Sequence, residues 1–178
     1  MTYEELEKIA KECGFTNVAP LDVSTIEVKK EVRDMCATNS CGAYGTSWSC
    51  PPGCGTIEEC DERIHKYKLG ILVQTVGELE DPLDGEGMMA AAHAHTERVD
   101  KMQNEVLKHT KNILTLGAGC CKLCRKCTYP DEPCRFPEKM HSSMESYGMV
   151  VLEVCKKNGL NYYYGSDHIA YTGCFLFE

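Results

Sequence analysis

A chain of 178 residues, 43% hydrophobic and 26% charged, has the make-up of a soluble globular protein, and its length fits a single domain with a buried core. A formal net charge of −8 argues against general nucleic-acid binding, which relies on basic surface to neutralise phosphates, and no apolar run reaches the ~18 residues that a bilayer-spanning helix needs. Thirteen cysteines is an odd and unusually high count, and the opening MTYEELEKIAKE has neither the basic nor the apolar region of an export signal. The expectation is a cytoplasmic chain whose thiols hold metal rather than disulfides.

The chain begins with Thr2-x-x-Glu5, a capping box, followed by Leu6, Ile9, Ala10 and Cys13 at helical spacing and Gly14 as a stop, which predicts a helix over about 3–13. Cys13 falls on the apolar face and reads as core. Residues 17–28 read as irregular or extended, interrupted by Pro20, and 27–35 as a short helix that delivers Cys36 at its end.

Cys36, Cys41, Cys50 and Cys54 lie in CATNSCGAYGTSWSCPPGC, where Gly42, Gly45, Pro51, Pro52 and Gly53 forbid regular structure. A loop this long without periodicity needs something to hold it, and four thiolates around a metal would do so. Plain packing of free thiols is the competing explanation. Trp48, the single tryptophan, is expected to shield this site or to pack in the core.

Thr56-x-x-Glu59 is a second capping box, opening a helix of about 57–68 with Ile57, Cys60, Ile64 and Tyr67 inward. Cys60 reads as core, with a reserve role as ligand. Residues 71–76 form a short β-branched run, a buried strand. The acidic segment 78–87 lacks the alternating ligand pattern of an EF-hand loop and reads as solvated surface. A long helix of about 87–111 follows, with a seam of Met88, Ala92, His95, Val99, Met102 and Val106. His95 and His109 are in register with the seam and His93 is off it, so His93 and His95 point to different sides and cannot share one ion.

Residues 113–116 read as a strand that runs through Gly117 and Gly119 into CCKLCRKCTYPDEPC. Here Cys121, Cys124, Cys127 and Cys134 stand in a C-x2-C-x2-C-x6-C run. Steps of two residues let a loop curl so that three sulfurs converge, and the fourth follows the turn made by Pro130 and Pro133. A cubane [4Fe–4S] cluster needs one thiolate per iron, as this run supplies. Zinc, which also takes four cysteines, is the rival. Cys120 is set aside as spare, because taking Cys121 keeps the regular two-residue steps. Lys122, Arg125, Lys126 and Arg135 flank the ligands in a chain that is otherwise acidic; they either tune a cluster and attract an acidic redox partner, or simply form a solvated basic loop.

Ser142-x-x-Glu145 predicts a capped helix of about 143–158 with Met144, Tyr147, Val151 and Val154 inward and Gly159 as its stop. Cys155 and Cys174 read as core. Two last strands, 162–164 and 169–177, are expected around the turn Gly165-Ser166-Asp167. The whole reads as one α/β domain, 1–178, with helices packed on a small mixed β-sheet and two cysteine-rich metal-binding loops.

The combination of Cys36-x4-Cys41, Trp48-Ser49-Cys50-Pro51-Pro52, the LGAG element at 116–119, CKLCRKCTYPDEPCRFP and Ser143-Met144-Glu145 resembles the DUF2284 family of predicted metal-binding proteins over nearly the whole chain. The resemblance implies cysteine-ligated metal, an iron–sulfur cluster in the cytoplasm of an anaerobic prokaryote, and a small non-ligand residue where Cys120 stands.

No dinucleotide fingerprint, P-loop or catalytic triad can be argued from spacing. Three functions stay open: an electron carrier with two [4Fe–4S] clusters serving a partner redox enzyme, a cluster-dependent reductase or lyase with its own substrate site, and a zinc-stabilised interaction module. No nucleic-acid or membrane partner is expected.

Overall fold

In the computed structural model, which describes residues 1–178, helix α1 (Tyr3–Cys13) opens with the capping box anticipated from Thr2 and Glu5. The Glu5 N–H donates to Thr2 Oγ1 at 3.3 Å, and the Thr2 N–H donates to Glu5 Oε2 at 2.8 Å. Gly14 ends the helix, its N–H bonded to the carbonyls of Ala10 and Lys11. Strand β1 (Asn17–Asp22) follows, within the stretch read as irregular or extended. Pro20 is tolerated there because β1 lies at the sheet edge, where one side of the strand needs no ladder donor.

Helix α2 (Lys30–Ala37) carries Cys36 in its last turn. Helix α3 (Ile57–Ile64) has the capping box of Thr56 and Glu59, but ends before Tyr67. Strand β2 (Leu69–Glu78) extends beyond its apolar run at both ends. Helix α4 (Gly85–Val106) starts two residues early because Asp84 caps it, Oδ1 accepting from the Gly87 N–H at 2.9 Å. It stops at Val106, so His109 is exposed beyond its end instead of on the seam. His95, Val99, Met102 and Val106 of the seam are buried and His93 is exposed, as the helical periodicity requires.

The largest departure lies between 142 and 165. Ser142 and Ser143 form a two-residue strand β4 parallel to β3 (Ile113–Gly117), and the Met144 N–H donates to the Gly117 carbonyl at 3.1 Å. A single 3-10 turn (Glu145–Tyr147) comes next, with Ser143 Oγ accepting from the Ser146 N–H at 3.0 Å. Gly148, at φ 81°, then reverses the chain in the left-handed region open to glycine, and the true helix α5 is only Val151–Lys157. Residues 162–164 form no strand; the Tyr164 hydroxyl is instead tied to Gln74 Oε1 at 2.6 Å. Strand β5 (His168–Phe177) is the last element.

The five strands run in the order β1-β2-β5-β3-β4, antiparallel except for the β3–β4 pair, so five helices pack on a mixed sheet. Alternation along β5 explains its fully apolar end: Phe175 and Phe177 face α1 and α4 beside Leu6, Val99 and Met102, while Cys174 and Leu176 face Cys60, Ile64, Met144 and Val154 on the other side. Each large side chain so buried contributes about 2 kcal/mol. Cys13, Cys60, Cys155 and Cys174 are buried, as expected. Both cysteine loops emerge around the short β3–β4 pair, over the 3-10 turn. No helix is long and apolar enough to cross a membrane.

Candidate metal centre

Two cavities, each walled by four cysteines, lie side by side. The first, of about 370 Å³, is lined by Cys36, Cys41, Cys50 and Cys120, with Lys122 and Glu145 at its rim. Cys36 comes from the end of α2, and Cys41 from the turns that follow. Cys50 opens the turn before α3. Cys120 arrives just after β3, where Gly119 takes φ 89°, a left-handed bend that a β-carbon would strain. The second cavity, of about 30 Å³, is lined by Cys121, Cys124, Cys127 and Cys134, with Ser47, Trp48 and Arg135 among its other walls. The sulfurs spread around these walls; no three His, Cys, Asp or Glu side chains close on a single point.

The sequence-based ligand sets therefore divide differently. Cys36, Cys41 and Cys50 line one cavity, and Cys121, Cys124, Cys127 and Cys134 line the other. Cys54 does not line the first cavity: its thiol donates to the Ser146 carbonyl at 3.8 Å, and the Cys60 thiol donates to the Cys54 carbonyl at 3.7 Å. The place reserved for it is filled by Cys120, the residue set aside as spare. Adjacent side chains diverge, and here that divergence sends Cys120 and Cys121 to different cavities.

Cys50 and Cys120 line the first cavity together, and their thiols influence each other's titration. The neighbouring thiol raises Cys50, already penalised by burial, and lowers Cys120, which the Lys122 ammonium also favours as a thiolate. Burial pushes Cys36 and Cys121 up. Next to Cys54, Cys60 is pushed down, by the neighbouring thiol first and then by Arg33, whose Nη1 donates to its sulfur at 3.6 Å. Arg33 also donates to the carbonyls of Ser146 and Gly55, and Arg63 to that of Cys54. These two arginines pin the backbone beneath the first cavity.

Trp48 is absent from the walls of the cavity that holds Cys36, Cys41 and Cys50; its ring packs edge-on against Tyr129 at 4.9 Å between centroids, and Nε1 donates to the Glu132 carbonyl at 3.0 Å, on the wall of the second cavity. Of the basic residues, Lys122 is at the first cavity, Arg135 at the second with Nη1 donating to the Lys126 carbonyl at 2.9 Å, and Arg125 and Lys126 are exposed. Sequence reasoning missed Arg33 and Arg63, ordinary helix-face residues with no motif, and Ser49, which links the loops through long-range contacts alone.

Soft thiol donors in sets of four fit a thiophilic metal, whether zinc or an iron–sulfur cluster. The first cavity also has room for a polynuclear group. A family model described as a predicted metal-binding protein (DUF2284) matches residues 19–177, and the chain belongs to that family. Neither the curated proteins nor the solved structures contain a match.

Proposed function

We propose that this member of the DUF2284 family is a cytoplasmic iron–sulfur protein that holds two clusters and passes electrons to a partner redox protein. Cys36, Cys41, Cys50 and Cys120 would hold one cluster, and Cys121, Cys124, Cys127 and Cys134 the other. The observation that carries the proposal is that consecutive residues, Cys120 and Cys121, line different four-cysteine cavities. Two centres joined by one peptide unit suit a relay. A [4Fe–4S] cluster supplies reversible one-electron transfer when bound.

The surrounding residues support this role. Four thiolates exceed the charge of a cubane core, so the bound group is negative, and Lys122 and Arg135 stand at the two cavities to offset it. Arg125 and Lys126 add positive charge to the same exposed loop in a chain of net charge −8. An acidic face on the partner protein would be steered to that loop. Nucleic acid is a poor partner for so acidic a chain.

The tightness of the second cavity, about 30 Å³, favours a single zinc ion there as a second reading. Metal and acid-labile sulfide analysis of protein purified without oxygen separates the two. Two cubanes give roughly eight iron and eight sulfide per chain, whereas one cubane with one zinc gives about half that iron and sulfide plus stoichiometric zinc. Zinc with no iron or sulfide would sink both and leave a structural module.

A further inference from the structure

A third cavity, of about 540 Å³, lies against the second cysteine site and shares Trp48, Cys134 and Met140 with it as a common wall. Its size is that of a small-molecule site, whose usual make-up is apolar walls with a few placed polar groups. Pro130, Pro133 and Met140 are apolar walls here, and the Trp48 ring is fixed by Tyr129 and the Glu132 carbonyl. Nothing in the cysteine loops requires an opening of this size.

Its charged groups sit in two places. Arg63 is half-buried and held in position, Nη1 donating to the Cys54 carbonyl at 2.8 Å and to the Tyr147 hydroxyl at 2.9 Å. Nη2 makes no hydrogen bond of its own and has only a long, solvent-exposed ion pair with Glu59 at 3.9 Å, a contact that contributes little. A guanidinium oriented in this way is a ready receptor for a carboxylate. On the exposed turn of the second cysteine loop, the acidic residues Asp131 and Glu132 line the same cavity. A simple anion would meet those carboxylates uncompensated, and a simple cation would meet Arg63.

We propose that this cavity binds a small zwitterion with an apolar or aromatic body, its carboxylate received by Arg63 and its ammonium by Asp131 and Glu132, against the wall formed by Cys134. The ligand body then stacks between Trp48 and the proline turn. Its nearest neighbour in the metal centre is a cysteine of the second site, so the position is that of a substrate or effector of whatever that site holds. The proposal requires no particular metal.

Calorimetric titration of anaerobically purified protein with L-phenylalanine, phenylacetate and phenethylamine tests it. Emission from Trp48, the single tryptophan, gives a local readout in the same samples. Phenylalanine is expected to bind at least about tenfold more tightly than either one-charge probe and to change that emission. The exposed double substitution Asp131→Asn with Glu132→Gln should cost phenylalanine about tenfold and leave phenylacetate no weaker. Arg63→Lys should weaken both carboxylates; because Arg63 also holds the backbone, the rim variant decides the matter. No heat with phenylalanine, equal affinity for all three probes, or a rim variant with unchanged phenylalanine affinity would overturn the proposal. Loss of binding in protein with full iron and sulfide counts against the cavity alone, and binding in protein without iron counts against the iron–sulfur reading alone.

Discussion

The backbone N–H of Cys121 donates to the hydroxyl of Ser49 at 3.0 Å across 72 residues of chain. Ser49 is fully buried; its oxygen also lies 3.0 Å from Ser47 Oγ and 3.9 Å from the Cys50 sulfur. One hydroxyl therefore touches a cysteine of each cavity. The two loops are thus tied to each other by a hydrogen bond that the cysteine spacings do not encode.

Ser49→Ala is expected to lower stability by about 1–2 kcal/mol, the cost of leaving a half-buried N–H without its acceptor. It should lower the metal content of both cavities, whereas Ser47→Ala should do so less. Melting curves and metal analysis of the two variants check this. A Ser49→Ala protein with wild-type melting and metal content would show that the loops are held some other way.

The cavity assignments make opposite claims for two cysteines that sequence spacing ranks the other way round. Cys120→Ser should remove about half of the bound metal and sulfide, since it takes one wall from the first cavity while leaving the second intact. Cys54→Ser should leave the metal content close to wild type and alter only the packing against Cys60 and Ser146. Paired metal analyses on anaerobic protein give the answer. If Cys54→Ser loses the metal and Cys120→Ser keeps it, the first site is built from consecutive cysteines of one loop.

Local signals were the legible part of the fold. Capping boxes at Thr2 and Thr56 located two helix starts to the residue, and the 3.6-residue period found the buried seam of α4, because both are written within a few neighbouring side chains. The stretch 142–158 was misjudged for the converse reason. Its Ser-x-x-Glu pattern looks like a cap, but the open edge of β3 takes residues 142 and 143 into the sheet, and that partner is distant in sequence. The candidate site behaves likewise. The 121–134 run was legible because its regular spacing is local. The first cavity was legible only for Cys36, Cys41 and Cys50; its fourth wall comes from the other loop, and the regular step to Cys124 concealed that Cys120 faces elsewhere. Arg33 and Arg63 carried no sequence signal, and Ser49 appeared only as a neighbour of Cys50 in a motif, with nothing to show that it reaches the other loop.

The last prediction concerns acid sensitivity, and it rests on His95. This side chain is completely buried between α4 and the sheet, with Phe15 and Tyr171 beside its ring, Nδ1 3.1 Å from Thr75 Oγ1, and Nε2 without a partner. Burial, with the nearby charges of Arg98 and His141, holds it neutral and pushes its pKa down to about 4. Above the ordinary histidine value of about 6.5, folded and unfolded chains both carry it uncharged, and it has no effect on stability. As the pH falls below that value the unfolded chain takes up a proton that the folded chain refuses, so stability drops until about pH 4, by about 3 kcal/mol in all. His95→Gln, which keeps polar capacity opposite Thr75 but cannot titrate, should therefore show a shallower fall of unfolding free energy between pH 6.5 and 5. Acid loss of a bound metal acts on both proteins, so the difference in slope between wild type and variant isolates the histidine. Urea unfolding at stepped pH measures it, and identical slopes would mean that His95 is protonated in the fold at no cost.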